Sequence, residues 1–477
     1  MKHSTRALVR STPISDTGLG RRDFLKAALA VAPYLYLAGC GSSGESGGIP
    51  PAAYDTVVVG SGMAGLAAAS TLVASGLRVL VLEGRDRIGG RTSTDTTTFD
   101  VPVDIGAQWF HQSPTNALLE YAAAHGYTLM PQSYLVYDGT QPATPGEAAP
   151  ALDMVGTLRT EIDSAGEAAA TGVSPDESAA QATLSQVGQP WYQLGEGLLG
   201  PNDFGAGFSS LSSQDHYNYS IPPSGNTMIQ GGMGTFVSSF ATGLRIRLST
   251  PVSAIQWGGR RGVKVVTAAK VIGARTAIVT TPTGGLAAGA LAFNPPLPDA
   301  YLDAIANLPM GNLEKIFLGF SRQVFDTPVN SAIFPLLDRI ELPFIQAPVW
   351  GGNVALSLIG GDLARELTTA GPAAMIEYAQ NQLADLFGRG ILSYYESGLT
   401  SNWLNDPWTL GSYSNATVGH VAARQQLAVP VSEQVFFAGE ALSVEHYQTV
   451  YGAYLSGITA ANQVLSSLGR ETGSAAA

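Results

Sequence analysis

Two glycine-rich turns and the acidic residue between them are the clearest candidates for chemistry in this chain of 477 residues. The first turn, residues 60–65, has the spacing G-x-G-x-x-G. Its first glycine permits a tight turn, its second lets backbone approach a pyrophosphate, and its third lets a helix pack on a strand. Glu83 lies 18 residues beyond Gly65, where a carboxylate can accept hydrogen bonds from ribose hydroxyls. The pattern predicts a dinucleotide site and disfavours a 2′-phosphate, hence NADP.

The second turn places Gly89 and Gly90 between two basic residues, Arg85 and Arg91. A cation beside a glycine turn can hold a pyrophosphate through charge-assisted hydrogen bonds. Lys315 is a third candidate, because it lies in the apolar, strand-like run 313–320. A lysine in such a run either extends to solvent at a sheet edge or is held inside with a lowered pKa. The residue types alone leave both possibilities open.

The elements that position these residues alternate between strand and helix. The run 54–59 predicts a strand, 63–75 a helix and 78–83 a second strand, which together form a βαβ unit. Further strands are predicted at 245–248, 252–257, 263–267, 277–280 and 434–438, and helices at 116–125 and 151–164. Since no long linker separates two halves, we expect an interleaved chain, with a dinucleotide domain made of 54–109, 226–295 and 405–468. Residues 110–225 and 296–404 would form a second, substrate domain, followed by a flexible tail, 469–477.

Charge and composition exclude several classes of protein. The formal net charge is −12 and only 13 % of residues are charged, against 45 % hydrophobic. This balance excludes a disordered chain, and an acidic surface with no basic run excludes nucleic-acid binding. No histidine pair or carboxylate cluster has metal-ligand spacing, so no metal is expected. The absence of a G-x-S-x-G sequence disfavours a serine hydrolase.

The first 39 residues are typical of an export signal. Arg21 and Arg22 precede the apolar run 27–38, which is too short for a permanent membrane span. The arginine pair resembles the twin-arginine signal, with Gly20 in the place of the usual Ser or Thr. Leu37-Ala38-Gly39-Cys40 resembles a bacterial lipobox, with Cys40 as the lipidated residue and 40–53 as a tether; a plain cleaved signal is the alternative. Cys40 is the only cysteine of the chain, so no disulfide is expected.

After residue 54 most of the chain resembles the flavin-containing amine oxidases, which include monoamine oxidases, polyamine oxidases and histone lysine demethylases. The resemblance begins with an R-x-G-G-R stretch, 87–91, and continues in blocks that keep the family's order: 104–109, 230–233, 250–252, 437–440 and 449–453. It implies a Rossmann-type FAD-binding domain interleaved with an α+β substrate domain, an α/β architecture known as the amine oxidase fold. The cofactor-binding residues that follow from the motifs and the resemblance are Gly60, Gly62, Ala64, Gly65, Glu83, Arg85, Gly89, Gly90, Arg91, Gln108, Trp109, Val252, Trp403, Gly439, Glu440, Thr449 and Val450.

The same resemblance implies four catalytic residues. Lys315 matches the lysine that holds a water at flavin N5, and would assist flavin reoxidation or proton handling. Tyr413 matches one wall of an aromatic cage that aligns the amine, and Thr449 matches the second wall, which is tyrosine in monoamine oxidases and threonine in histone demethylases. His111 is similar in position to an active-site histidine of animal-type polyamine oxidases. Ser412 stands where monoamine oxidases carry a flavin-linked cysteine, so FAD is expected to bind non-covalently.

The interpretation that follows is an exported, periplasmic, lipid-anchored bacterial enzyme that oxidises an amine to an imine, which water hydrolyses to an aldehyde or ketone. Oxygen or a periplasmic electron carrier would reoxidise the flavin. An L-amino acid oxidase ranks second, because the arginine that such enzymes use for the substrate carboxylate is missing between Arg91 and Arg159. A desaturase-like enzyme of the same superfamily ranks below it, as does a tethered flavoprotein without catalytic activity. The identity of the amine and the oligomeric state do not follow from the sequence.

Overall fold

The structure, a computed structural model, describes residues 53–111, 116–219, 225–342 and 344–470. The predicted signal, Cys40, nearly all of the tether and most of the predicted tail lie outside the described residues. The described part contains two large sheets, each covered by helices, and a cavity runs between the residues that the two sheets carry.

The first sheet is built around the predicted βαβ unit. The strand Tyr54–Val59 pairs in parallel with Val79–Leu82 on one side and Val271–Val279 on the other, and the helix Met63–Ala74 connects the first two. Val79–Leu82 is buried throughout, and so are residues 276–279 of the other neighbour, as expected of parallel strands covered on both faces. The other strands of this sheet are Ile246–Arg247, Val252–Gly259, Gly262–Thr267, Ala292–Asn294 and Val435–Phe437.

The last helix of the chain packs against the first helix of this unit. Gly457, in the helix Val450–Ser467, lies so close to the backbone oxygen of Ala64 that a Cβ atom at Gly457 would clash with it. Val464 and Leu465 extend the contact into the apolar layer beneath the sheet. Residues from the two ends of the chain therefore form one face of the first sheet.

The second sheet is mixed and carries Lys315. The strand Leu313–Phe320, second from one edge, pairs antiparallel with Val354–Gly360 and with the edge strand Tyr395–Thr400. The sheet continues through the strands Phe344–Ala347, Ser331–Pro335, Tyr134–Asp138 and Gln141–Pro142. The helices Gly361–Ala370 and Pro372–Phe387 cover one face and supply Ala364, Met375, Ala379 and Leu383 to its apolar core.

A helical layer stands beside the cavity. The helix Pro145–Ala170 starts at a capping box, in which Thr144 and Glu147 exchange hydrogen bonds. It is longer than the predicted 151–164, because the cap starts the helix more than a turn before Ala151. It packs on Ser213–Asn218 and on Tyr192–Gly197, which continues into a π-helical turn, Leu198–Asn202.

Shorter elements complete the fold. The helices are Ala117–Ala124, Ala179–Ala182, Met233–Ser239, Thr283–Ala287, Asp299–Ala306 and Ala423–Leu427. The strands are Thr94–Asp95, Val103–Asp104, Trp109–His111, Leu129–Pro131, Asn226–Ile229, Met310–Gly311 and Tyr413–Ser414. The 3₁₀ turns are Leu184–Gln186, Val349–Gly351, Arg389–Tyr394 and Glu440–Leu442. None of the helices within the described ranges has the length and apolarity that a membrane span requires.

The structure confirms the predicted fold class: the first sheet has a parallel βαβ unit of the dinucleotide-binding type, and it is combined with a second, mixed sheet. Most strand predictions were wrong at one or both ends, usually by one or two residues, and two of them show why. The strand predicted at 277–280 begins earlier, at Val271, because it also pairs antiparallel with Gly262–Thr267. The strand predicted at 245–248 is limited to Ile246–Arg247, because only these two residues pair with Val79–Leu82.

Candidate functional site

One cavity of about 790 Å³ extends from the glycine turns to the second sheet. Its wall contains all four predicted catalytic residues, His111, Lys315, Tyr413 and Thr449. It also contains every predicted cofactor-binding residue except Gly65. A Cβ atom on Gly65 would clash with the backbone oxygen of Gly60, so Gly65 acts through close helix–strand packing and not through the cavity wall.

The two glycine turns meet at the end of the cavity nearest the first sheet. Gly62 forms a parallel bridge with Gly89, and a Cβ atom on Gly90 would lie 3.2 Å from the Cα of Gly62. The helix Met63–Ala74 starts at Gly62 without a side-chain cap. Uncapped backbone N–H groups at a helix start, together with its positive dipole end, form a site for a phosphate.

The carboxylate of Glu83 is held beside this turn. Its Oε2 accepts hydrogen bonds from the backbone N and the Oγ of Ser61, each at 2.8 Å, and its Oε1 accepts one from the backbone N of Arg85 at 2.8 Å. Glu83 is buried yet on the cavity wall. Oε2 thus has both of its acceptor sites used, whereas Oε1 can accept one further hydrogen bond, so the geometry fits the predicted role toward a ribose hydroxyl.

Arg85 and Arg91 differ in how many of their guanidinium nitrogens already have a protein partner. Arg85 donates both terminal nitrogens to the carboxylate of Asp406, at 2.7 and 2.8 Å. Arg91 donates through Nη1 to the backbone oxygen of Ser412 at 2.8 Å and to Glu440 at 3.0 Å. Because Arg85 commits both terminal nitrogens to Asp406, Arg91 has the freer guanidinium for a phosphate.

Lys315 lies inside the second sheet and not at a sheet edge. It is 4 % exposed, and its Nζ donates to the backbone oxygens of Asp104 and Gly106 and to Oε1 of Gln108, at 2.9, 2.8 and 2.7 Å. The same nitrogen lies 4.9 Å from the ring centroid of Trp109. These contacts fix Nζ on the cavity wall.

Burial lowers the pKa of Lys315 from 10.5 to about 7, and the nearby Asp104 opposes the shift. Burial likewise raises the pKa of Asp104, against the influence of Lys315. The three oxygen acceptors around Nζ also favour the charged lysine. Lys315 can therefore exchange a proton near neutral pH, which few lysines do.

His111 is oriented as a hydrogen-bond acceptor. Its Nδ1 lies 2.9 Å from Oδ1 of Asn226, and because that oxygen can only accept, Nδ1 carries the proton. Burial lowers the pKa of His111, with the bond to Asn226 acting in the opposite direction. A neutral imidazole with a proton on Nδ1 has its lone pair on Nε2.

Tyr413 and Thr449 both lie on the cavity wall, but their hydroxyl groups have different hydrogen-bond partners. The hydroxyl of Tyr413 donates to the backbone oxygen of Asp203 at 3.1 Å, and burial raises the pKa of Tyr413 well above its ordinary value. The hydroxyl of Thr449 donates to the backbone oxygen of His446 and caps the last helix by accepting from the N–H of Gly452. Tyr413 therefore presents an uncharged ring to the cavity, whereas the hydroxyl of Thr449 is already hydrogen-bonded within the protein.

The wall near the helical layer contains polar residues that the sequence motifs did not indicate. Asp203 lies 3.8 Å from Arg159, and Nδ1 of His216 lies 2.7 Å from Asp163. All four line the cavity. The sequence gives only a weak indication of these residues. Asp203 is positioned by a π-helical turn, and His216 belongs to no recognisable motif.

The residues present fit FAD. The cavity joins an uncapped helix start, a cradle of glycines that a Cβ atom would fill, a held carboxylate and a partly available arginine, in that order. Within the described ranges no group of three or more His, Cys, Asp or Glu residues is placed to hold a metal ion.

Comparisons with known proteins identify relatives of this chain. The family model "Flavin containing amine oxidoreductase" matches residues 63–465. Polyamine oxidase 3 of Oryza sativa is 30 % identical over 439 residues, covering 85 % of this chain and 88 % of that protein. Among solved structures, wild-type putrescine oxidase bound to putrescine has a TM-score of 0.72 at 20 % identity, covering 87 % of this chain and 99 % of that one. Cyclohexylamine oxidase from Brevibacterium oxydans has a TM-score of 0.72 at 21 % identity, covering 87 % and 100 %.

Proposed function

The chain belongs to the flavin-containing amine oxidoreductase family and uses FAD, and from this premise we propose that it oxidises an amine to an imine, which water hydrolyses to an aldehyde or a ketone. The carbon and the nitrogen of the amine each lose one hydrogen, and bound FAD supplies the two-electron acceptor. The observation that carries the proposal is the position of Lys315 and Tyr413 on the wall of the cavity that begins at the glycine turns.

Each catalytic residue has a separate task in this proposal. The neutral ring of Tyr413, fixed through its hydroxyl to the backbone of Asp203, orients the amine. The unprotonated Nε2 of His111 accepts a hydrogen bond from the amine nitrogen or from a water beside it. Lys315 holds a water, or moves a proton, near the reacting atoms. Thr449 leaves the second side of the cage wider than an aromatic ring would.

The domain division follows the same proposal. Residues 54–109, 226–295 and 405–468 would bind FAD, and residues 110–225 and 296–404 would shape the amine end of the cavity. The positions of the glycine turns and Glu440 in the first set, and of Lys315 and Asp203 in the second, support this division. With Ser412 in the place of a flavin-linked cysteine, we expect FAD to be released intact on denaturation.

The decisive experiment is anaerobic reduction of the purified holoenzyme by a panel of amines: spermidine, putrescine, cyclohexylamine, an aryl monoamine, a secondary amine and an L-amino acid. Loss of the oxidised flavin absorption with any amine supports the proposal. Bound FAD that no amine reduces would favour a desaturase-like enzyme or a carrier. Admitting air afterwards distinguishes oxygen from a periplasmic carrier as electron acceptor, because only an oxidase recovers its absorption rapidly and produces hydrogen peroxide.

An L-amino acid oxidase remains the second candidate function, and the charged residues on the cavity wall argue against it. Arg159 does reach the wall, but it lies 3.8 Å from the carboxylate of Asp203. A substrate carboxylate would have to compete with Asp203 for this arginine. The wall near the helical layer also contains Asp163, so we expect L-amino acids to be poor reductants in the panel.

Export and lipid anchoring complete the proposal and rest on residues outside the described ranges. The support is the arginine pair Arg21 and Arg22 and the lipobox-like sequence that ends at Cys40. Replacing both arginines by lysine should retain the protein in the cytoplasm. Cys40→Ala should move it from the membrane fraction to the periplasmic fraction without changing the catalytic rate. An unchanged membrane fraction for the Cys40→Ala protein would contradict the anchor.

A further inference from the structure

A chain of buried amides leads away from Lys315 into the second sheet. Oε1 of Gln108 accepts from Nζ of Lys315 at 2.7 Å, and Nε2 of Gln108 donates to Oε1 of Gln346 at 2.6 Å. Nε2 of Gln346 donates to Oδ1 of Asn330 at 3.1 Å, and that oxygen also accepts from the backbone N of Trp350 at 2.8 Å. We call Gln108, Gln346 and Asn330 the amide chain.

Both ends of the amide chain fix its direction. Lys315 can only donate while it is charged, so Gln108 must present its oxygen to it and its nitrogen to Gln346. The backbone N–H of Trp350 can only donate, so Asn330 must present its oxygen there, and Gln346 must then turn its nitrogen toward Asn330. Both requirements give Gln346 the same orientation. Rotating any of the three amide groups by 180° would place one hydrogen-bond donor against another.

Burial makes this arrangement costly to break. Gln108 is 3 % exposed and both Gln346 and Asn330 are 0 % exposed. An unpaired amide in such surroundings costs about 1–3 kcal/mol. Asn330 adopts a φ of +62°, a conformation that asparagine tolerates better than most residues. Among the residues that line the cavity, Gln108 is present, whereas Gln346 and Asn330 are not.

We propose that Gln346 and Asn330 are positioning residues, which hold the Nζ atom of Lys315 at the cavity wall through the amide of Gln108. Gln108 has one other partner for its nitrogen, the sulfur of Met228 at 3.8 Å, which is a weak acceptor. Without Gln346, Gln108 would lose its orientation, and Lys315 would lose one of its three acceptors. The effect on turnover rests on the proposed function, but the effect on Lys315 does not.

The protonation of Lys315 can be followed directly by NMR, because its charged neighbours can be named and the chain has few lysines. The charge of Asp104 favours protonated Lys315, and the carboxylate of Asp104 accepts hydrogen bonds from Oγ1 of Thr94 and the backbone N of Met233. The strand Val354–Gly360 faces it with Leu358, and the neighbouring Glu314 is bonded to Ser401 and to the backbone of Leu404. The chain has only the following lysines: Lys2, Lys26, Lys264, Lys270 and Lys315. Their NMR signals can therefore be resolved.

The test is a pH titration of the oxidised holoenzyme labelled with ε-¹³C lysine, in which Lys315→Met identifies the Lys315 signal. We expect Gln346→Leu to lower the titration midpoint by about half a pH unit or more, because one acceptor of the charged form is lost. The buried carboxyl of Gln346→Glu faces Oδ1 of Asn330 and takes the neutral form, in which its O–H replaces the donor of Gln346 and its carbonyl replaces the acceptor. We therefore expect this conservative variant to keep the wild-type midpoint. The matched control is Gln132→Leu, at a buried glutamine that touches Gln346 only weakly, at 3.4 Å.

The outcomes are distinguishable. Equal midpoints for Gln346→Leu and Gln132→Leu would overturn the proposal. If Gln346→Leu does not fold, Asn330→Gly decides the matter, because glycine suits the positive φ and the change removes the acceptor of Gln346. A midpoint for Asn330→Gly equal to that of Gln132→Leu would likewise overturn the proposal. The pH profile of amine-driven flavin reduction should move with the midpoint while KM for the amine changes less than about twofold. Because the titration needs no turnover, its result stands even if no amine reduces the flavin.

Discussion

At the scale of single residues, the protonation of Lys315 links the site to stability. Its pKa is about 7 in the folded protein, against 10.5 as the ordinary value. The unfolded chain therefore binds more protons between these values, and the free energy of unfolding rises with pH across this interval. Below about pH 7 both states are protonated and the full cost of burying the charge is present.

We predict that Lys315→Met removes this dependence. Between pH 7 and 9 the wild-type protein should gain up to about 2 kcal/mol relative to the variant, an upper value because three oxygens stabilise the charged form. Denaturant unfolding of both proteins at pH 6.5, 8 and 9.5 measures the difference. Parallel curves at all three pH values would show that Lys315 has an ordinary pKa.

Tyr413 offers a second prediction at this scale. Tyr413→Phe keeps the ring and loses one neutral hydrogen bond, worth about 1 kcal/mol, so kcat/KM should fall roughly fivefold. Tyr413→Leu removes the ring as well, and we expect a loss of about 30-fold or more. Stopped-flow reduction by the best amine of the panel measures both. Equal losses in the two variants would mean that the ring does not orient the amine.

The sequence indicates the catalytic residues unevenly. The glycine turns and Glu83 follow from spacing and chemistry alone, because a phosphate and a ribose demand those residue types. Lys315 and Tyr413 needed the family resemblance, since an apolar run does not reveal whether its lysine faces solvent or a cavity. Asp203, His216 and Gln346 could not be predicted, because their positions depend on long-range contacts that leave no local pattern.

At the scale of elements, the role of the contact between the two glycine turns can be tested by substitution. Gly90 has a φ of +61° and its Cα faces Gly62. Gly90→Ala should therefore reduce FAD content at least tenfold, as the turns are forced apart. Gly76→Ala is the matched control, because Gly76 has a φ of +79° and no atom within 4 Å of an added Cβ. It should cost about 1 kcal/mol in stability and retain FAD.

The ratio of flavin to protein absorbance in the purified proteins measures the cofactor content. If both alanine variants kept a full complement of FAD, the turn contact would have no part in binding the cofactor.

A buried ion pair joins the helical layer to the segment that carries Tyr413. Arg424 is 0 % exposed and donates to both carboxylate oxygens of Asp215, at 2.9 and 2.7 Å. It also donates to Oγ of Ser414 and to the backbone oxygen of Ala441, and its guanidinium stacks 3.8 Å from the centroid of the Tyr447 ring. The pair thus connects three separate elements beside the site.

We predict that Arg424→Met destabilises the protein by about 3–5 kcal/mol, because it leaves the Asp215 carboxylate buried and unpaired. The partly exposed pair of Arg78 and Asp55 is the control, and Arg78→Met should cost less than about 1 kcal/mol. Urea unfolding measures both. A cost for Arg424→Met as small as that of the control would show that Asp215 finds another partner or a proton.

Elements were easier to predict than their ends. Hydrophobic runs and glycine turns located all but one strand of the first sheet, since parallel strands buried on both faces are continuously apolar. The missed strand, Ala292–Asn294, is a short edge strand that is largely not buried, so it has no such run. The helix Pro145–Ala170 and the strand Val271–Val279 exceeded their predicted ranges, because a capping box and an antiparallel neighbour extend them. The order of strands in the second sheet depends on contacts between distant segments and does not follow from any window of sequence.

At the scale of the whole molecule, the net charge of −12 affects encounter with substrate. An acidic protein attracts a cationic amine over a distance that salt screens. We predict that the second-order rate of flavin reduction by a cationic amine falls severalfold between about 20 mM and 500 mM salt. An amine of low basicity, uncharged at the assay pH, should show no such fall. Equal salt dependence for the two amines would exclude steering by charge.

The arrangement of the chain ends also governs when the protein becomes able to hold its cofactor during synthesis. The strand Tyr54–Val59 and the helix Met63–Ala74 leave the ribosome early. The strand Val435–Phe437 and the helix Val450–Ser467, which complete the same sheet and cover it, are made only after residue 434. A nascent chain therefore cannot complete this layer before residue 467 has left the ribosome, and we expect FAD to bind only after that point.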